Sequence, residues 1–409
     1  MIAELRRFLH RNRRRVFIGS SLLAIIYFGV GYLRQKFIDY QLKLAEEKFS
    51  REQIKRRFEQ TQKDSLYTIY SLVPVLSAPI LDALQVEKIT QLLQARRLEK
   101  KNIGGHDKNF NDDISTVSAT TNNDITPFAE GERKSKNELW NDLKSQSLTR
   151  LITLIYSNAL LILLTRLQLN ILARREYLED AIKVASTKSG FNVKKIESND
   201  PNKQSSNYVN EQAYLSCSWW LLNRGWTVIN ERVERAVNQT FKDITPRAEL
   251  TLDEFAILLN STQKLIEDDS SFVIKSLLPP KNLETFLLQQ TLDEVSLSLL
   301  HENSENFQIL LNETTNYITS SSSSIVLSSL VNAGISTTLN HVAWNLTQKE
   351  TSNMIQPNLI KVKLAVLLAQ ISRAANDFKS ATSNEYINNM DKTAELDELS
   401  ASVYSNFEV

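Results

Sequence analysis

Residues 151–164 read LITLIYSNALLILL, and the fold depends on whether this stretch crosses a membrane or fills a protein core. A helix needs about 20 apolar residues to span a bilayer, which is more than this run offers. Ser157 and Asn158 sit in its middle, and Arg150 and Arg166 bound it. A central buried helix fits that length and composition better than a crossing. The rest of the chain favours helices too. Its 409 residues hold 9 glycines and 8 prolines, and Gly19, Gly29 and Gly31 share one apolar run. Tight sheet turns and phosphate loops need glycine for positive φ and close backbone approach. The expectation is a mostly α-helical body.

Immediately upstream, residues 134–147 read KSKNELWNDLKSQS. Ser135 and Glu138 have capping-box spacing, so a helix is expected to begin just before Trp140. At 100° per residue, Trp140, Leu143, Leu151, Leu154, Ile162 and Leu169 fall on one face. That pattern is compatible with Trp140 as a core side chain or as an anchor for a partner. A tryptophan on an apolar stripe is usually buried. Further helical periodicity covers about 138–185, 210–241, 252–267, 283–301, 307–341, 359–378 and 384–404. The charge-dense segment from residue 34 to about 97 reads as a long helix with Ile54, Phe58, Tyr67, Tyr70 and Leu72 on a stripe, interrupted or kinked at Pro74. Polar, aperiodic inserts are expected at about 99–136 and 187–207.

The N-terminus supplies a better membrane candidate. A basic tail, 1–15, precedes VFIGSSLLAIIYFGVGYL, which runs from Val16 to Leu33 without a charge. Arg15 and Arg34 close it, and no small-residue cleavage site follows, so an uncleaved anchor is expected. Basic residues flank both ends, and charge counting leaves the orientation open. The expected organisation is thus an all-α chain, a single elongated helical bundle over 34–409 on an N-terminal transmembrane anchor.

Chemical signatures are lacking. With 48 basic and 47 acidic residues the net charge is +1, unlike a nucleic-acid binder. Cys217 is the one cysteine and His10, His106, His301 and His341 are scattered, which gives no disulfide, metal or nucleophile pattern. No Walker, dinucleotide, zinc or G-x-S-x-G motif occurs. Cys217 in AYLSCSWWLL reads as a buried inert thiol, and Trp219 and Trp226, seven apart, as a core pair. Sequons at Asn238, Asn260, Asn312 and Asn345 would accept glycans in a lumenal body, whereas the lack of disulfides favours the cytosol. No enzyme activity, cofactor or metal is expected.

Several stretches carry a resemblance: REQIKRRFEQTQKDSLYTIY, ELWNDLKSQSLTRL, LLILLTRLQLNIL, EQAYLSCSWWLLNRGW and LSASVYSNF. Together they are similar to the peroxisomal biogenesis factor 3 family in its yeast form, over essentially the whole chain. The resemblance implies a peroxisomal membrane protein, single-pass, with its body in the cytosol, and it allows passage through the endoplasmic reticulum. It implies that Arg11, Arg13, Arg14 and Arg15 contribute to targeting. It also implies docking of a soluble import receptor, peroxisomal biogenesis factor 19, which delivers newly made membrane proteins. Carried over by position, Trp140, Leu143, Lys136 and Asn170 match the family's receptor groove, and this shifts Trp140 toward the anchor reading. Lys136 and Lys144 would then form a basic rim around it. The alternative is a tether or platform for peroxisome inheritance or selective-autophagy factors.

Overall fold

The structure, a computed structural model, describes residues 13–103, 134–188, 201–347, 361–380 and 384–407. The basic tail through residue 12 and most of the two inserts, 104–133 and 189–200, lie outside the described residues, as do the side chains of the expected span from Val16 to Leu33. In backbone that span belongs to helix α1 (Arg13–Ala83). The chain divides into two compact units, Met1–Gln60 and Thr61–Val409. In the first, solvent-facing pairs four residues apart, Arg56 with Glu52 and Lys55 with Glu59, line the helix surface.

The second unit is an all-α body built around α3 (Lys136–Lys188). Residues 151–164 are buried on every side of this helix. The arginines that bound the run in sequence are buried as well. Arg150 pairs with Glu87, Arg166 with Asp391 and Arg174 with Glu313, each acid on a different helix. Each guanidinium is buried against a paired carboxylate through its Nη groups, so these three tie the surrounding layer to the axis, although the Nε of each has no partner among the described residues. Two described stretches, Lys48–Leu98 and Lys136–Val184, are long and apolar enough to cross a membrane by composition; the apolar window of the second is entirely buried in protein. The central-helix reading of 151–164 therefore holds.

Around α3 lie α2 (Val86–Ile103), α4 (Pro201–Ser216), α5 (Trp226–Thr240), α6 (Leu252–Glu267) and α7 (Ser271–Leu277). The chain continues through α8 (Glu284–Thr291), α9 (Glu294–Glu302), α10 (Glu305–Ile318) and α11 (Ser321–Thr347). It ends with α12 (Leu364–Ala374), α13 (Glu385–Asp391) and α14 (Ala394–Ser405). Among the described residues the sheet content is one antiparallel pair, β1 (Glu249–Leu250) with β2 (Val362–Lys363).

Several sequence expectations are corrected here. Helix α1 continues through Pro74 and Pro79, so of the expected interruption or kink the interruption does not occur; tertiary packing of its inner face outweighs the local cost of proline. That face is Ser65, Ile69, Val73, Leu76 and Ile80; Tyr67 of the expected stripe is 79% exposed. The helix expected from about 210 starts at Pro201, where the missing proline N–H has no helical partner to lose. The helix expected over 210–241 also breaks at Cys217 and passes through a π turn, Leu221–Gly225. That turn shifts the register. The fully packed tryptophan becomes Trp220, whose Nε1 donates to the Lys275 carbonyl at 3.0 Å, whereas Trp219 rests half-buried on Phe286. Gly225 lies so close to α7 that a Cβ there would sit 1.9 Å from the Ser276 carbonyl oxygen. Cys217 is buried as expected, and burial pushes its thiol up to about 12.

Candidate docking groove

Helix α3 begins as its sequence predicts. Ser135 Oγ accepts from the Glu138 N–H at 3.2 Å, and Glu138 Oε2 accepts from the Ser135 N–H at 2.7 Å. This reciprocal cap satisfies two donors that a helix start leaves open. The first turns of α3 then meet α2, and Val86, Ile89, Leu139 and Leu143 close into a small apolar cluster separate from the main core. Trp140 and Leu93 pack on that cluster only in part. Their other faces line an open groove of about 620 Å³.

Arg97 of α2 and Lys136 of α3 also line it. The opposite wall is the loop between α5 and β1, which contributes Pro246 and Arg247, together with Ala365 of α12. Two devices build that loop. The Ala365 N–H donates to the Pro246 carbonyl at 3.0 Å beside the β1–β2 pair. From beneath, Lys144 Nζ donates to the carbonyls of Phe241 and Ile244, each at 2.8 Å. Arg97, Lys136 and Arg247 are all exposed, and no carboxylate is among the lining residues. The result is a groove of mixed lining, with Leu93, Pro246 and Ala365 as its apolar part, Trp140 as an aromatic ridge, and Asn137, Asn141, Thr245 and the three cations as its polar part.

The structure therefore joins Trp140 and Lys136 in one groove and places the other residues elsewhere. Leu143 sits beneath Trp140, already covered by α2, with 8% of its surface accessible. Lys144 is buried and serves the loop, so it is no part of a basic rim. Burial lowers its pKa, an effect that Asp243 partly offsets. Asn170 is fully buried; its Nδ2 donates to the Arg166 carbonyl at 2.7 Å and its Oδ1 accepts from Gln62 Nε2 at 2.8 Å. It lines no part of the groove and belongs to the polar network joining α1, α3 and α13. Leu93, Arg97, Pro246 and Arg247 escaped sequence reasoning because only tertiary folding brings their segments to Trp140. Among the described residues no cluster of three or more His, Cys, Asp or Glu is placed to hold a metal ion.

By fold this is an all-α protein, a non-repetitive helical body that carries an open, cation-rimmed groove. The Peroxin-3 family model matches residues 7–406. The chain is 39% identical to the peroxisomal membrane protein PEX3 of Komagataella phaffii, covering 98% of each. It is 34% identical to peroxisomal biogenesis factor 3 of Saccharomyces cerevisiae, over 99% of this chain and 97% of that one. The corresponding figure for the Mus musculus factor is 23%, over 100% and 98%. This chain belongs to the Peroxin-3 family.

Proposed function

We propose that this protein is a docking receptor of the peroxisomal membrane. It captures the soluble import receptor, peroxisomal biogenesis factor 19, together with the newly made membrane proteins that receptor carries. Family membership makes it a factor of peroxisome biogenesis, and a relative named a peroxisomal membrane protein supports the location. In this reading Val16 to Leu33 anchors the chain in a single pass and the body faces the cytosol.

The observation that carries the docking role is the position of Trp140. It is half-buried, fixed from below by the cluster of Leu139 and Leu143, and turned on its other side into the groove. A rigid aromatic ridge costs little entropy to order and is well suited to an amphipathic partner helix. Arg97, Lys136 and Arg247 suit a partner whose polar face is acidic.

The test is a pull-down from cytosol with residues 34–409, using wild type and Trp140→Ala. Retrieval of the soluble receptor by wild type alone supports the reading. Retrieval solely of organelle-bound or motor-linked proteins, equally by both, would instead favour a tether for inheritance or autophagy factors.

A further inference from the structure

We infer that Glu87 and Arg150 form a clamp that positions α2 as the wall of the docking groove, and that they act on the receptor through this wall without touching it. The inference rests on the docking function proposed above. Arg150 is completely buried, whereas the Glu87 side chain is 56% exposed. One guanidinium nitrogen, Nη1, donates to both carboxylate oxygens of Glu87, at 2.9 and 2.8 Å. It also lies 3.5 Å from the Leu84 carbonyl, in the turn that leads into α2. The other nitrogen, Nη2, donates to the Ser372 carbonyl of α12 at 3.2 Å.

A single side chain of α3 thus holds α2 and α12, and all three helices supply groove residues: Leu93 and Arg97, Trp140, and Ala365. Apart from this clamp, α2 rests on α3 through the small cluster of Val86, Ile89, Leu139 and Leu143. A helix held by so little apolar contact opens locally at low cost. Glu87 lies about 9 to 15 Å along α2 from Leu93 and Arg97, at 1.5 Å per residue. It is not among the groove-lining residues, so its influence is exerted through the placement of the helix.

Glu87→Gln, Glu87→Asp and Trp140→Ala should be compared in residues 34–409 by association and dissociation rates with the full-length soluble receptor. Hydrogen exchange of the free proteins completes the comparison. Removing the clamp lowers the fraction of molecules with a formed wall, which reduces the association rate and leaves dissociation nearly unchanged. Glu87→Gln should lower the formed-to-open ratio of the wall by about fivefold, the upper range for a partly exposed ion pair, and slow association by a measurable factor no larger than that. Simple charge steering predicts the opposite sign, because deleting an acid near a groove for an acidic partner speeds encounter. Exchange should accelerate in 86–98 and stay unchanged in 151–171, and Glu87→Asp should restore much of the association rate. Unchanged or faster association with Glu87→Gln, while Trp140→Ala weakens binding strongly, overturns the clamp and leaves the groove standing. Exchange that accelerates throughout the body, or Glu87→Asp as slow as Glu87→Gln, overturns it too. If Trp140→Ala also binds like wild type, the groove itself is wrong and the clamp's role in docking falls with it.

Discussion

At the scale of single residues, the sequence identified Trp140 through its environment: a capped helix start, an apolar stripe and a charged neighbourhood. It could not separate core from anchor, because a stripe of side chains says which face is apolar and nothing about what covers it. The structure makes the tryptophan both. One side of the ring seals a four-residue cluster and the other lines the groove. Leu143 shows the same limit from the other direction. It shares the stripe, yet α2 already covers it. A carboxylate at Leu143 would be buried without a partner, so Leu143→Asp should destabilise the packing of α2 on α3 by about 3 kcal/mol. Thermal unfolding and hydrogen exchange of 86–98 measure this, and binding should be lost as a consequence. Lys136→Glu belongs to a different class, since Lys136 is exposed on the rim. It should slow association at low salt and approach wild type as salt screens the charge. Stopped-flow mixing across an ionic-strength series checks it.

At the scale of elements, periodicity located the long helices well and their breaks poorly. The central helix was legible because an apolar run too short for a bilayer, with Ser157 and Asn158 inside it, has only the protein interior to go to. The π turn at Leu221–Gly225 was not legible, since nothing local distinguishes it from continuous helix. Its physical reason is tertiary: the glycine lets α7 approach the backbone. Gly225→Ala should therefore cost several kcal/mol, about 2 to 4, because the added methyl meets a backbone carbonyl and no flexible side chain can yield. Denaturant unfolding gives that number. The packing of α2 has a pH signature of its own. Burial alone would raise the carboxyl of Glu87, but the hydrogen bonds and charge of Arg150 outweigh it and hold the group below the usual 4.5. The folded value is depressed, so the clamp's contribution is complete above the ordinary carboxylate range and is lost as pH falls through the folded value. Exchange in 86–98, corrected for its intrinsic pH dependence, should rise on acidification in wild type before the body unfolds, and Glu87→Gln should lack that step.

For the molecule as a whole, composition pointed to the all-α class, and the segment from Val16 to Leu33 to a membrane anchor. The groove was beyond sequence reasoning because its walls come from α2, α3, the loop before β1 and α12, segments that lie far apart in the chain and meet only in the folded body. Only the α3 wall carries local signals. The polar residues that hold the walls, Lys144 and Arg150, look in sequence like surface charges beside an apolar run. They are in fact interior supports, each matched to carbonyls or a carboxylate. If the anchor is the N-terminal segment, a chain lacking 1–33 should be soluble, helical and absent from the membrane pellet. Resistance of that truncated chain to alkaline extraction would place a bilayer crossing elsewhere.

The role of Trp140 as a docking anchor is tested most directly by one paired measurement: titration of the soluble receptor against wild type and Trp140→Ala, with thermal unfolding of both in its absence. The expected result is affinity weakened about thirtyfold, equivalent to roughly 2 kcal/mol. The loss of stability should be modest, about 1 kcal/mol, as befits a half-buried ring. A drop of 3 kcal/mol or more in stability, about the cost of a core aromatic, with unchanged affinity in the folded fraction, would contradict it.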